Sequence, residues 1–495
     1  MLPMNAEQIT INTDMVGHAK RFAGIRGFLA AFIMSSSTVG MTFVVPDNQL
    51  VNLVCVVMIP FIVAFIFLKN VMHALTLVWL NEMFFGVGGM WMKVGPIPGR
   101  GVLLLVVLLI YIINRSNVIS NIKRNKRDSW IVFYGTILPS MLLGYSVIIR
   151  GNDFSDAFAD VQRFLTIIIF FPLRDLIRRH FSFVFGWLIC AAATLSLLFV
   201  SLAVAPENFK IVLLERWLHR FSDVDNSFTE HVLQTGRAAF TPLILCMIGV
   251  FIGIIYTIDI KIKALTRLGS VLLLSITVAA FVVNFLRGPI IAIIIVLMLL
   301  AILVSGFKRA RITRGVNLII VIITTISLGY IATTTYIPIA LTKWDVSGLA
   351  FEEAVDPVRI EQMEVMLNAW LEEPILGQGV GSPISGDVGG ESGRLAFEVQ
   401  YPMILYRTGL IGFGFIMAPL LWILSRTVRR TKQIPELIGT DEGKLLLAMG
   451  CSVGALLITS WVNPYLASSM TFVFIALFLA VESKLPIIKR RRFLI

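Results

Sequence analysis

The chain has 495 residues, of which 57% are apolar and only 15% charged, with a mean hydropathy of +0.86. Soluble globular chains carry about 25% charged residues, so this composition excludes an ordinary soluble enzyme or binding module. The net charge of +12 raises the question of nucleic acid, but that reading needs basic residues gathered on one folded domain with aromatics between them, and here they punctuate apolar runs.

Those runs are about twenty residues long, and each is enough to cross a bilayer core of about 30 Å. In chain order, about fourteen candidate spans lie near 24–44, 50–68, 70–92, 101–114, 129–149, 160–173, 181–204, 239–258, 267–286, 288–306, 316–340, 401–424, 443–462 and 466–483. The first begins near Gly24, has full span length and lacks a small-residue cleavage site, so it reads as a membrane helix and not a signal peptide. Clusters of Lys and Arg mark the cytoplasmic loops. They are Lys20/Arg22/Arg26, Arg115 with Lys123–Arg127, Arg174/Arg178/Arg179, Lys261/Lys263/Arg267, Lys308/Arg309/Arg311/Arg314, Arg426/Arg429/Arg430/Lys432 and Lys489–Arg492. With fourteen spans all of them fall on one side. The expected fold is an all-α polytopic membrane protein, a single membrane domain over 1–495, with both termini cytoplasmic and one large external loop that contains short helices. Cys55, Cys190, Cys246 and Cys451 sit inside spans and read as small core hydrophobes.

Two external segments are long. Residues 205–238 contain the amphipathic Leu213–Phe221, suited to lying along a membrane surface, and then Asp223-Val224-Asp225, read as a solvated acidic turn. The larger loop spans 341–400. Asp356-Pro357 resembles a helix start, with an N-cap acceptor and proline at the first helical position. Met363, Met366, Leu367 and Trp370 recur at helical spacing, and Pro374 stops the helix. Gly377, Gly379 and Gly381 follow, in a turn that lacks the Gly-Lys-Ser/Thr ending of a phosphate-binding P-loop. Two charges stand near the membrane on this side. Arg287 lies between apolar stretches, where arginine is costly and normally paired, solvated or functional. Glu398 lies between apolar neighbours at the start of the twelfth span, a setting that raises a carboxyl pKa and suits proton transfer.

The loop resembles the large periplasmic loop of the O-antigen polymerase and O-antigen ligase superfamily. That family shows an arginine opening a loop helix, a Pro-Leu-x-Gly-x-Gly turn, a His-Asn pair and, eleven residues after the histidine, Gly-Leu-x-Gly. Here stand Arg359, Pro374-Ile375-Leu376-Gly377-Gln378-Gly379 and Gly409-Leu410-Ile411-Gly412. Counting eleven back from Gly409 reaches Glu398, so Glu398-Val399 replaces the His-Asn pair. Leu286-Arg287-Gly288 echoes the family's Ser-Arg-Gly. The resemblance covers residues 284–412. The missing histidine, prominent in ligases, favours a polymerase.

The resemblance implies a glycosyltransferase of the inner membrane that joins undecaprenyl-pyrophosphate-linked oligosaccharides into surface polysaccharide, as in lipopolysaccharide biosynthesis. Arg287 and Arg359 would stabilise the departing pyrophosphate, since arginine forks match phosphate oxygens, with Arg237 and Arg407 behind them. Glu398 would be the base. Gly377, Gln378, Gly379 and Tyr401 would contact substrate. The pyrophosphate leaves without a nucleotide, and the five histidines (His18, His73, His180, His219, His231) are scattered, so no metal or other cofactor is expected. Partners would be the lipid-linked donor and acceptor, a flippase and a chain-length regulator, with no nucleic acid. Two alternatives stand beside this reading. One is a ligase that transfers finished polymer to lipid A core. The other, from another class, is a lipid-linked oligosaccharide flippase, although transporters usually show repeated halves and charges near mid-span.

Overall fold

The computed structural model describes residues 23–39, 49–85, 93–94, 97–115, 126–204, 243–259, 264–283, 287–305, 357–383, 399–433, 439–460, 466 and 468–485. Apolar runs become helices here because a helix satisfies its own backbone hydrogen bonds, which a bilayer cannot do. The helices are α1 (Ala23–Val39), α2 (Val51–Leu68), α3 (Val71–Phe85), α4 (Gly99–Asn114), α5 (Lys126–Ile149), α6 (Phe154–Leu165), α7 (Phe170–Val204), α8 (Leu243–Ile258), α9 (Ala264–Val283), α10 (Arg287–Ser305), α11 (Pro357–Glu372), α12 (Gln400–Gln433), α13 (Asp441–Thr459) and α14 (Ser469–Glu482). A two-residue antiparallel pair, β1 (Lys93–Val94) with β2 (Ile97–Pro98), precedes α4.

Among the described residues, five helices, α2, α5, the α6–α7 run, α12 and α13, are long and apolar enough to cross a membrane, against about fourteen spans expected over the whole chain. Seven more apolar helices are shorter. This is consistent with a membrane protein. The span expected at 316–340, the 205–238 segment, and residues 341–356 and 384–398 of the large loop lie outside the described residues.

The structure departs from the expected spans at 160–173 and 181–204. The helix begins earlier, at Phe154, capped by the Asp153 carboxylate, which accepts from the Ser155 and Asp156 amides. It tightens to a 3₁₀ turn over Thr166–Ile169 and runs on through the basic segment to a break at His180 (φ −126°, ψ 35°). Two charges of the basic segment pair with neighbouring segments. Arg174 bonds Asp128, and Asp175 bonds Arg115.

The largest fully buried side chains are nearly all aromatic. Trp187 and Phe199 of α7, Phe251 of α8, Phe281 of α9, and Phe474 and Phe478 of α14 are fully buried. Outward-facing Ile113, Ile148 and Leu265 are largely exposed, as suits a surface turned to lipid.

Ion pairs sort into two layers. One layer joins Arg115–Asp175 (2.6 Å), Arg174–Asp128 (2.8 Å), Lys444–Asp259 (2.7 Å), Lys484–Glu442 (3.1 Å) and three arginines on Glu482. All of these are helix ends that the Lys/Arg count assigns to the cytoplasm. The other layer joins Arg150–Glu373 (3.1 Å), Arg407–Asp160 (2.6 Å) and Arg100–Glu82 (3.7 Å), all at ends assigned to the outside.

Candidate functional site

The second layer contains the most elaborate polar assembly among the described residues. It is built where four segments meet: the end of α5, α6, the turn after α11, and the first half of α12. Helix α11 is described from Pro357 to Glu372 and turns Met366 into the core, while Asp356, the expected N-cap, lies outside the described residues. After Glu372 the chain folds back, and Trp370 Nε1 donates to the Pro374 carbonyl (3.0 Å).

The glycine turn is clamped on two sides. On one side it docks backbone to backbone against α12. The Gln378 amide donates to the Tyr406 carbonyl (2.8 Å), the Leu410 amide to Pro374 (2.9 Å) and the Ile411 amide to Ile375 (3.2 Å). Gly409 makes this possible. Its φ of +60° and ψ of −171° break α12 and free amides that a continuous helix would consume. A Cβ on Gly409 would stand 2.3 Å from the Ile375 carbonyl oxygen, and one on Gly377 (φ +73°) would stand 2.5 Å from the Gly409 nitrogen. The two glycines touch through their backbones, so neither position has room for a side chain.

On the other side α5 and the residues after it hold the turn. Tyr145 Oη donates to the Gly377 carbonyl (3.0 Å), Ser146 Oγ to that of Val380, and Asn152 Nδ2 to that of Gln378 (3.1 Å). Arg150 bridges Glu373 (3.1 Å) and the Gln378 side chain. Gly381 donates its amide to Asp160 Oδ2 (2.9 Å).

Asp160 is the hinge of the assembly. The same Oδ2 accepts from Arg407 Nη1 at 2.6 Å, and both residues are buried. Its Oδ1 faces Arg163 Nη2 at 3.7 Å and accepts no hydrogen bond among the described residues. Beside them lies a hollow lined by Asp160, Arg163 and Arg407 and walled by Phe164, Ile404 and Phe472. Two guanidiniums and a carboxylate line it, and the wall is apolar. Chemically, such a hollow suits an anionic group attached to a hydrophobic body.

The structure places the expected site residues unevenly. Gly377, Gln378, Gly379 and Arg407 come together. The glycine turn, expected to offer its amides to a phosphate or sugar, spends those of Gly377, Gln378 and Gly381 on Glu373, Tyr406 and Asp160. Tyr401 faces away into helix packing, its Oη donating to the Leu457 carbonyl and its ring against Phe413. Arg287 is the first residue of α10, and Arg359 lies in the first turn of α11. Glu398 and Arg237 lie outside the described residues.

Tyr145, Ser146, Arg150, Asn152, Asp160 and Arg163 escaped the sequence reading. One signal was available for two of them. Asp160 and Arg163 open an apolar run counted as a span, where charged residues are expensive and tend to be functional or paired.

No protein-family model, no curated protein and no solved structure matches the chain.

Proposed function

We propose that this protein is a glycosyltransferase of the bacterial inner membrane, of the O-antigen polymerase type, that joins polyprenyl-pyrophosphate-linked oligosaccharide units on the external face. The observation that carries the reading is the docking of Pro374–Gly379 against Gly409–Gly412. These are the two best-matched motifs of the resemblance, thirty residues apart in sequence, and their glycines are required by one shared backbone contact. A hollow lined by Arg163, Arg407 and Asp160 with an apolar wall adjoins that contact, which suits a lipid phosphate.

In this reading the chain crosses the membrane about fourteen times with both termini in the cytoplasm. The segregation of ion pairs into two layers supports that alternation. The acceptor hydroxyl attacks the anomeric carbon of the donor. A new C–O bond forms, the bond to the pyrophosphate breaks, and the hydroxyl proton passes to the Glu398 carboxylate. Arg287 and Arg359 take up the charge that develops on the leaving pyrophosphate, and Arg407 and Arg163 extend the positive field at the hollow.

The direct test supplies purified protein with lipid-linked repeat units. Growth of a ladder of longer chains supports polymerase activity. Transfer to a lipid A core acceptor without chain growth would assign a ligase instead, and neither product would overturn the glycosyltransferase reading.

A further inference from the structure

Two histidines meet in the ion-pair layer that the Lys/Arg count assigns to the cytoplasm. His73 is the third residue of α3, and His180 is the residue at which α7 breaks. Their ring centroids lie 5.1 Å apart, edge to face at 74°. His73 is 1% exposed, and neither its Nδ1 nor its Nε2 has a hydrogen bond. A neutral imidazole always carries one donor and one acceptor, and leaving both unpaired in a buried site is costly. Leucine, of similar size, would fill the space without that cost, so packing alone does not account for histidine here. The His73 amide donates to Asn70 Oδ1 (3.0 Å), which fixes the residue at the start of its helix.

His180 supplies the second observation. It is half-buried, and its φ of −126° and ψ of 35° interrupt the helix between Phe170 and Val204. Kinks usually fall at proline or glycine, and neither lies within two residues of His180. The break falls on the residue that touches His73. The run from α6 to this break carries Asp160 and Arg163 of the candidate site near its other end. The charged groups on the helices packed around the pair are mostly cations. Arg178 and Arg179 precede His180, Arg115 follows α4, Lys69 ends α2, Arg26 stands near the start of α1, and Lys484 lies over the Phe181 ring (4.4 Å). Arg179 and Arg115 bear on His73. Asp175, Glu442 and Glu482 each already hold a cation.

We propose that the His73–His180 pair is a proton-sensitive latch, which holds α3 against the break in α7 while both rings are neutral and lets go when they take up protons. A proton on either ring of the closed pair would bury a new cation beside Arg179 and Arg115 with no acceptor to receive it. In the open form the rings reach water and titrate near the ordinary histidine value of about 6.5. The open form therefore binds more protons, and the closed form loses stability as pH falls below that value. Above it the latch stays shut. The device needs no glycosyltransferase activity, and it stands or falls apart from that reading.

The test is hydrogen exchange on the purified full-length protein in detergent between neutral and mildly acidic pH, with each rate corrected for the intrinsic pH dependence of exchange. Protection of the amides of His73 to Leu77 and of Phe181 to Phe185 should be level above neutrality. Below about pH 6.5 it should fall about 10- to 100-fold per pH unit, for one or two protons taken up. His180→Leu should leave a shallower fall, and His73→Leu with His180→Leu should leave none. If the double variant does not fold, His180→Leu decides. Level wild-type protection down to about one and a half pH units below the ordinary histidine value would overturn the latch. So would a fall of unchanged steepness in whichever leucine variant folds.

Discussion

Replacing Gly409 with alanine should undock the glycine turn while leaving most of the helical framework intact. Gly409 sits at φ +60°, ψ −171°, a region essentially confined to glycine, and holding another residue there costs about 1–3 kcal/mol. The new Cβ would also stand 2.3 Å from the Ile375 oxygen, 2.4 Å from its carbon and 2.6 Å from the Gly377 nitrogen. All three are backbone atoms, so no rotamer change relieves the clash, and the turn itself must move. Moving it breaks the amide bonds from Gln378, Leu410 and Ile411 to the opposing carbonyls, each worth about 1 kcal/mol net. The docking therefore loses about 4–6 kcal/mol, or about a thousandfold or more in the local opening equilibrium at 1.4 kcal/mol per decade. Hydrogen exchange on the purified protein reads this directly as lost protection of the amides at 378, 410 and 411. Gly414→Ala is the control. It lies in the same helix with open space around it and should be neutral or stabilising by up to about 1 kcal/mol. Wild-type protection in Gly409→Ala would refute the docking argument.

The remaining predictions concern charge, chemistry and topology. Asp160→Asn should destabilise the protein by about 3–5 kcal/mol in a denaturant titration, because it deprives the buried Arg407 of its carboxylate. Adding Arg407→Gln should recover part of that loss, and a double variant no better than the single one would deny the pairing its importance. Arg287→Ala and Arg359→Ala should each lower polymer formation about 10²- to 10³-fold with normal membrane accumulation, and lysine should rescue only in part; near-normal chain growth in both would remove them from the site. Glu398→Gln should be almost as inactive as Glu398→Ala while donor binding persists, since glutamine keeps the shape but cannot take the proton; polymerisation at the wild-type rate would discard Glu398 as the base. An externally applied thiol reagent should label a cysteine introduced at Ser385 and miss one at Ser116, and the reverse pattern would invert the topology.

The class of the protein and the position of most of its helices were legible in the sequence. Apolar run length and the absence of internal charge are local properties, and a bilayer selects helices from them with little regard to what packs alongside. The end of α11 before Pro374 was legible for the same reason, since proline acts on its own backbone. The sidedness of Lys and Arg was also local, and it grouped helix ends that the structure pairs by ion bridges. The tertiary structure alone decided what those helices do to one another. Arg407 stood among the arginines expected at the pyrophosphate, and only the fold shows that Asp160, 247 residues away, bonds it. Arg174 looked like the marker of a loop, yet the helix runs through it because Asp128 neutralises it. Gly377 and Gly409 stood in the sequence as members of two separate motifs. They are two halves of one backbone contact, and a glycine required by a neighbour thirty residues away carries the same letter as one required by nothing.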